Sequence, residues 1–326
     1  MKVVDLHCDT ISVLYRDNKN GGHQSLWQNN LQIDVQKLLK GDYALQCFAM
    51  FVPLKMVENP FEQCLSLIDC YYQELDKNKE YIKHVNTYDD IIDNMKEGRM
   101  SSLLTIEEGG VCKGNLEYLR IFHRLGVRLI TLTWNFENGI GFPNFKMNRE
   151  NHQIYDYPNT KDGLTPFGIE MIKEMNKLGI IIDVSHLSDA GFYDVAKYST
   201  KPFVASHSNA RSKCWFPRNL TDDMIRVIAD KRGVIGINFC KDFLVENEDE
   251  DMIESLIKHI NHIRKIGGID CLALGTDFDG IERTDKIDNA GDMQLLADAL
   301  YKEGYTQEEV EKIFYKNALR VFKECL

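Results

Sequence analysis

Short apolar segments alternate with amphipathic segments along the whole chain. The apolar segments predict eight strands, at residues 3–6, 43–53, 100–110, 125–135, 180–188, 203–208, 233–240 and 271–280. Between most of them the apolar residues recur at helical spacing, which predicts a helix after each strand. Near-continuous apolar strands that alternate with helices are typical of a parallel sheet covered on both faces. Eight such units predict an α/β fold, a single (β/α)8 TIM-type barrel formed by residues 1–326.

The alternative fold is an open, doubly wound sheet. Such a sheet normally carries a glycine-rich phosphate loop after an early strand, and neither GxGxxG nor a P-loop occurs in this sequence. Helix starts support the barrel units. Thr165-Pro166 and Thr221 are predicted N-caps, and residues 306–309 form a predicted capping box. The polar segment 136–164 is predicted to be a long functional loop.

Charge and cysteine content narrow the function classes. The net charge of −11 argues against a nucleic-acid or anionic membrane partner, because phosphate binding requires a basic face. The nine cysteines are scattered and include no CxxC pair, so we interpret them as reduced thiols. We expect no signal peptide and no membrane span, because no apolar stretch approaches about 20 residues. These features together predict a cytoplasmic protein.

Histidines and carboxylates recur where the predicted strands end. The residues concerned are His7, Asp9, Glu107, Glu108, His186, His207, Asp277 and Asp279. In a barrel, the carboxyl ends of all strands converge on one face, where the active sites of such barrels lie. The pattern therefore predicts a metal site at the C-terminal ends of the strands.

The number and type of these ligands indicate the metal. Imidazole and carboxylate suit zinc, although manganese, cobalt or iron would also fit. The set exceeds the three protein ligands of one catalytic ion, which favours two ions about 3.5–4 Å apart, bridged by a carboxylate and a hydroxide. The third strand should supply the bridging carboxylate. Glu107 and Glu108 are adjacent, so only one of them can point inward, and spacing leaves both open.

Asp277 and Arg218 are candidates for roles beside the metal. Asp277 lies in GTDFDG and would transfer a proton at the metal-bound water; the alternative is that GTDFDG is only a turn. Asp279 would either orient Asp277 or cap that turn. Arg218 is either an ordinary surface residue or an anchor for a substrate carboxylate. His152, in the long loop, is a weaker candidate. Three cysteines near strand ends could be ligands or nucleophiles, without a supporting pattern: Cys8, Cys112 and Cys240.

Several motifs resemble those of the renal (membrane) dipeptidase family of zinc peptidases, within the amidohydrolase-type barrels. They are DLHCDT, EEGG, LGVRLITLTWN, GLTPFGIEMIKEMNKLGIIIDVSHLS, ASHS, PRN and GTDFDG, and the similarity extends over nearly the whole chain. The resemblance implies that His7 and Asp9 bind one zinc, that His186 and His207 bind the second, and that Glu108 bridges both. It also implies that Asp277 holds the nucleophilic water and that Arg218 pairs with the terminal carboxylate of the substrate.

The sequence departs from the mammalian enzymes at one position. Those enzymes have a histidine directly after LTLT, where this chain has Trp134, followed by Asn135. We therefore expect Trp134 and Asn135 to contact substrate. The implied function is a binuclear zinc dipeptidase, with Mn²⁺ or Co²⁺ as other possible ions, that accepts dipeptides, including those with a C-terminal D-residue. The alternatives are an amidase or lactonase on the same site, or a non-catalytic metal-binding barrel; relatives also suggest a homodimer.

Overall fold

Eight parallel strands form a closed barrel in the computed structural model, which describes residues 1–144, 157–247 and 249–326 and the backbone of 146–147 and 154–155. The strands of the described residues are β1 (Val3–Asp5), β2 (Tyr43–Phe51), β3 (Ile82–His84), β4 (Met100–Glu107), β5 (Val127–Thr131), β6 (Lys146–Met147), β7 (Ile154–Tyr155), β8 (Ile181–Asp183), β9 (Val204–Ala205), β10 (Val234–Ile237) and β11 (Leu272–Leu274). Three of them lie outside the barrel: β3 pairs with β4, and β6 pairs with β7 in an antiparallel sheet. The order around the barrel is β1, β2, β4, β5, β8, β9, β10 and β11, and β11 pairs with β1.

Helices connect the strands and cover the outside of the barrel. They are α1 (Thr10–Lys19), α2 (Val35–Lys40), α3 (Pro60–Lys77), α4 (Tyr88–Lys96), α5 (Leu116–Arg124), α6 (Pro166–Leu178), α7 (Asp189–Tyr198), α8 (Asp222–Asp230), α9 (Lys241–Leu244), α10 (Met252–Gly267), α11 (Gln294–Lys302), α12 (Gln307–Glu311) and α13 (Asn317–Cys325). The turn Lys312–Lys316 between α12 and α13 is a π-helix. Among the described residues, no helix combines the length and apolar character needed to cross a membrane.

The eight predicted barrel strands are confirmed, and so is their parallel arrangement. One strand lies where a helix is predicted. The apolar residues of segment 60–84, between the second and third predicted strands, recur at helical spacing, but α3 ends at Lys77 and β3 follows after a turn. The short strand pairs with the beginning of β4 outside the barrel and is too short to show an alternating pattern. The predicted caps are confirmed, since the hydroxyls of Thr165, Thr221 and Thr306 accept hydrogen bonds from their helices.

The C-terminal helix closes one end of the barrel. Buried side chains of the strands pack against Ala318, Val321 and Phe322 of α13. Asn317 donates hydrogen bonds from Nδ2 to the carbonyls of Ile269 and Leu272, at the start of β11. The amino-terminal end of the barrel is therefore covered, and the carboxyl ends of the strands surround the opposite face.

Candidate metal centre and active site

Five of the predicted residues and one alternative, Glu107, come together at the carboxyl ends of the strands. Three groups of side chains have ligand atoms within 4.8 Å of one another: His7, Asp9 and Glu107; Glu107, His186 and His207; and His7, His207 and Asp277. All are buried except Asp277, whose side chain is 13 % exposed. Because two of the groups share Glu107, the arrangement suits two cations bridged by one carboxylate.

Glu107, and not Glu108, provides the central carboxylate. Its Oε1 lies 3.0 Å from His186 Nε2, and its Oε2 lies 3.4 Å from His7 Nε2. Glu108 faces away, and accepts hydrogen bonds from the amides of Gly110 (2.8 Å) and Trp134 (3.0 Å). The choice of Glu108 as the bridging residue is thus corrected. The physical reason is that β4 ends at Glu107, whereas Glu108 has a φ of 88° and turns the chain.

The electrostatics of the cluster favour a bound cation. Burial lowers the pKa of His7, yet Glu107 and Asp9 raise it well above its usual value, because both carboxylates place negative charge beside this imidazole. Burial, assisted by Arg218, lowers the pKa of His186 to about 4. Burial also lowers the pKa of His207. Two neutral imidazoles beside buried carboxylates are the donor set that zinc prefers.

Unpaired polar atoms at the site support the same conclusion. His7 Nδ1, His7 Nε2 and Asp9 Oδ1 are buried without a hydrogen-bond partner among the described residues. A buried polar atom without a partner costs about 1–3 kcal/mol, so such atoms are rare unless a ligand satisfies them. The Nε2 atoms of His186 and His207 lie 3.0 Å apart, where two lone pairs require a proton or a cation between them. The residues therefore fit the divalent metal ions that the donor set predicts.

Hydrogen bonds fix the tautomers of two histidines. His207 Nδ1 lies 2.7 Å from Ser206 Oγ, and Ser206 Oγ donates in turn to Asp183 Oδ2 at 2.6 Å. Since that hydroxyl donates to the carboxylate, it accepts from His207 Nδ1–H, and the Nε2 lone pair faces the cluster. Ser206 is held close because Gly236 and Gly275 have no side chain; a Cβ would lie 1.9 Å or 1.7 Å from its carbonyl oxygen.

Asn135 fixes the tautomer of His186, as Ser206 does for His207. Its Oδ1 lies 2.8 Å from His186 Nδ1, so it accepts the imidazole proton and directs Nε2 toward Glu107. The carboxamide oxygen is therefore engaged by a metal ligand. Asn135 therefore orients His186, and the predicted contact of Asn135 with substrate stays a prediction.

Asp277 lies at the open side of the cluster. Its Oδ1 is 3.7 Å from His7 Nε2, and its Oδ2 accepts a 2.9 Å hydrogen bond from Asn238 Nδ2. Burial raises the pKa of Asp277 to about 7. A carboxyl group with such a pKa can both accept and release a proton near neutral pH, which is the requirement for general acid–base catalysis.

Arg218 is buried beside the histidines, with few partners of its own. It is 5 % exposed, and its Nη2 donates to the carbonyl of His207 at 3.2 Å. Its Nη1 lies 3.5 Å from Ser208 Oγ, and its Nε is buried without a partner among the described residues. The guanidinium carbon lies 5.4 Å from the ring centre of Phe243. A buried guanidinium with unused donors is suited to an anionic ligand.

Trp134 forms part of an aromatic wall. Its ring centre lies 6.2 Å from that of His186, 4.9 Å from Phe51 and 5.3 Å from Phe136. This aromatic wall, formed by Phe51, Trp134 and Phe136, lies beside the cluster where β2 and β5 end. Trp134 is only partly buried, so its ring remains accessible to a substrate side chain.

Other candidates lie outside the cluster. Asp279 accepts hydrogen bonds from Thr10 Oγ1 and the amide of Gln32, both at 2.6 Å, and so fastens the segment before α2 to the barrel. Burial raises the pKa of Cys8, and raises those of Cys112 and Cys240 to about 12, which makes them protonated thiols. His152 lies outside the described residues.

Comparison with known proteins agrees with this site. Residues 1–325 match the family model "Membrane dipeptidase (Peptidase family M19)". The chain belongs to the membrane dipeptidase family. It is thus a hydrolase of the metallopeptidase class, as the sequence resemblance implies, and its activity is that of a metal-dependent dipeptidase.

Individual relatives support membership of the family. The chain is 35 % identical over 268 residues to "Uncharacterized protein in pqqA 5'region" of Klebsiella pneumoniae, covering 78 % of this chain and 96 % of that protein. It is 27 % identical over 302 residues to "Dipeptidase tcpJ" of Claviceps purpurea, covering 90 % and 69 %.

Solved structures of metallopeptidases share the fold. The crystal structure of dipeptidase AC, a metallopeptidase of family M19, superposes with a TM-score of 0.91 at 26 % identity, covering 100 % of this chain and 98 % of that one. A metallopeptidase from Rhodobacter sphaeroides, liganded with a phosphinate mimic of the dipeptide L-Ala-D-Ala, gives a TM-score of 0.90 at 24 % identity, covering 100 % and 99 %.

Proposed function

We propose that this dipeptidase uses two zinc ions and hydrolyses dipeptides, including those with a C-terminal D-residue. In this proposal His7 and Asp9 would hold one ion, His186 and His207 would hold the other, and Glu107 would contribute to both positions. The observation that carries the proposal is the position of Glu107, whose two oxygens face histidines on opposite sides. Mn²⁺ or Co²⁺ would suit the same ligands.

The catalytic roles follow from the positions of the side chains. Two bound ions would supply Lewis acidity, which would lower the pKa of a water molecule and polarise the scissile carbonyl. Asp277 accepts the proton of the attacking water at Oδ1 and passes it to the nitrogen of the leaving amino group as the C–N bond breaks. Asn238 keeps Oδ2 occupied, so Oδ1 remains the oxygen that faces His7.

Substrate recognition is assigned to Arg218 and Trp134. Arg218 pairs with the free carboxylate of the substrate, which restricts the enzyme to short peptides that end close to the scissile bond. Trp134 contacts a substrate side chain with its ring and supplies a neutral indole N–H donor in place of an imidazole. The dipeptide mimic held by the Rhodobacter sphaeroides metallopeptidase, which shares this fold, makes L-Ala-D-Ala a suitable first substrate.

A stereochemical panel tests the proposal. Zinc-loaded protein is assayed with L-Ala-L-Ala, L-Ala-D-Ala, D-Ala-L-Ala and D-Ala-D-Ala, beside alanine amide and a lactone. We expect turnover of at least one dipeptide to exceed that of both other substrates. Faster turnover of the amide or the lactone would identify an amidase or lactonase. Less than one metal equivalent per chain, with no turnover after zinc addition, would indicate a non-catalytic barrel.

Compartment, assembly and domain extent complete the proposal. We place the enzyme in the cytoplasm, supported by the odd and scattered cysteines of the sequence, and without nucleic-acid or membrane partners. We further propose a homodimer and one hydrolase domain over residues 1–326. Cell fractionation and light scattering test the first two statements, and limited proteolysis tests the third.

A further inference from the structure

A buried ion pair lies beside the segment that carries Arg218. Arg211, in the loop between β9 and α8, donates from Nη1 to Asp189 Oδ2 at 2.7 Å and from Nη2 to Asp189 Oδ1 at 2.8 Å. Both residues are only 6 % exposed. Asn144 Nδ2 also donates to Asp189 Oδ1, at 2.6 Å. Burying such a pair gains little net stability, because desolvation offsets the attraction, so its geometry requires another explanation.

The remaining donors of Arg211 hold the chain on both sides of Arg218. Arg211 Nη2 donates to the carbonyl of Pro217 at 3.0 Å, and Arg211 Nε donates to the carbonyl of Asn219 at 2.8 Å. Asn144 Nδ2 reaches the Pro217 carbonyl as well, at 2.6 Å. The peptide group directly before Arg218 and the peptide group between Asn219 and Leu220 are thus held by one guanidinium, whose own orientation is set by Asp189.

Arg218 depends on this support because its own side chain is weakly held. Its guanidinium makes one hydrogen bond of 3.2 Å and one contact of 3.5 Å, and its Nε has no partner among the described residues. Apart from these contacts and the ring of Phe243, the position of the guanidinium depends on the backbone from which it extends. Bidentate recognition of a carboxylate requires that position to be accurate, and a displacement of about 1 Å can cost about 100-fold in rate.

We propose that Arg211, oriented by Asp189, is a positioning residue that fixes the backbone around Arg218 and thereby sets the preference for substrates with a free C-terminal carboxylate. The proposal rests on the proposed function, because Arg218 is taken there as the carboxylate anchor. Arg211 itself makes no contact with the metal cluster in the described structure, so it acts through Arg218 alone.

The test compares two arginines that grip backbone carbonyls. Arg211→Lys keeps a positive charge beside Asp189, but a single ammonium cannot maintain the forked contacts to both carbonyls and the carboxylate. Arg128→Lys is the matched control. Arg128, near the amino-terminal end of β5, donates to the carbonyls of Asn86 (2.9 Å), His123 (2.8 Å) and Val127 (3.0 Å), none of which belongs to the segment around Arg218.

Each zinc-loaded variant is assayed with L-Ala-D-Ala and with its C-terminal amide, and its metal content is measured. For Arg211→Lys we expect the ratio of kcat/KM for dipeptide over amide to fall by about tenfold or more through a higher KM for the dipeptide. Kinetics with the amide and the metal content should match those of the wild type. Arg128→Lys should keep the wild-type ratio. Asp189→Asn, a change of equal size, should lower the ratio in the same direction and serves if Arg211→Lys does not fold.

Hydrogen exchange gives a readout that is independent of turnover. The amides of Asn219 and Leu220 donate to the carbonyls of Phe216 and Asn209, so we expect residues 214–220 to exchange faster in Arg211→Lys and not in Arg128→Lys. An unchanged ratio with wild-type exchange, or an equal loss of kcat on both substrates, would overturn the inference. Wild-type enzyme that hydrolyses no dipeptide would instead overturn the proposed function, and the exchange data would still decide whether Arg211 holds this segment.

Discussion

Exchanging each of two adjacent glutamates for glutamine distinguishes the bridging ligand from its neighbour. Glu107→Gln removes the carboxylate that faces His7 and His186 and leaves one carboxamide oxygen for two metal positions. Glu108→Gln makes the same chemical change one residue later, at a side chain that accepts hydrogen bonds from Gly110, Trp134 and Asn138. The two variants are matched in size and charge, so their difference reports position alone.

The expected magnitudes follow from these contacts. Residues that only orient a metal ligand usually contribute tenfold to 100-fold to metal affinity, or about 1.4–2.8 kcal/mol. Glu107 belongs to two of the ligand groups. Glu107→Gln should therefore lower the affinity for both ions by more than about 100-fold and abolish turnover. Glu108→Gln should retain both ions. It should instead lose about 1–3 kcal/mol of stability. The reason is that one oxygen of Glu108, which accepts a hydrogen bond from a backbone N–H, becomes an NH₂ group that cannot accept it.

The metal content of wild type and both variants is measured after dialysis against a weak chelator, and thermal unfolding of the same samples gives their stability. Wild type and Glu108→Gln should keep two equivalents of zinc per chain, and Glu107→Gln should keep fewer than one. Retention of both ions by Glu107→Gln, together with their loss from Glu108→Gln, would refute the assignment and restore Glu108 as the bridging ligand.

Three further changes test the remaining parts of the site and the fold. Asp277→Asn should keep both metal ions and lower kcat by about 100-fold to 10,000-fold, as measured by steady-state kinetics; unchanged turnover would contradict its role in proton transfer. Ser206→Ala should lower zinc affinity by about tenfold to 100-fold in a chelator competition, because the His207 tautomer is no longer fixed, whereas wild-type affinity would show that the Asp183–Ser206–His207 chain is dispensable. Burial lowers the pKa of His259 to about 4, below the usual value of about 6.5, so its contribution to stability is complete above about pH 6.5 and is lost as the pH falls toward 4. Between about pH 6.5 and pH 4, the free energy of unfolding, measured with denaturant, should fall by about 3 kcal/mol less in His259→Gln than in the wild type. Equal pH dependence of the two proteins would exclude a neutral, buried His259.

The sequence predicts the barrel and most of the cluster because both follow from position along the strands. His7, His186, His207 and Asp277 each come directly after an apolar segment, and parallel strands bring those positions to one face. The choice between Glu107 and Glu108 could not be made in this way. It depends on whether the strand ends before or after Glu107, and the sequence EEGG permits both. The backbone of Glu108 has a positive φ, which residues other than glycine rarely adopt, and this turn of the chain leaves Glu107 as the inward-pointing residue.

The supporting residues are harder to find from the sequence, because they belong to no strand-end pattern. Asp183 and Asn238 are polar residues at the ends of apolar strands, which was an available but unspecific signal. Arg211 and Asp189 are 22 positions apart and carry no mutual spacing rule, so their pairing emerges only from the folded chain. In the sequence, Asn135 is distinguished only by its position after Trp134, and the contact with His186 in the folded chain is what indicates that it orients this residue.

Backbone conformation at the strand ends explains how the cluster keeps its shape. Glu108, His186 and Asp277 follow β4, β8 and β11 with φ values of 88°, 69° and 64°. Each such conformation costs about 1–3 kcal/mol and persists only where surrounding contacts impose it. Those contacts are hydrogen bonds within the protein, such as Asn135 to His186 and Asn238 to Asp277. Since the protein itself holds these residues in place, metal ions would enter a site that is already arranged, and their binding energy need not be spent on folding it.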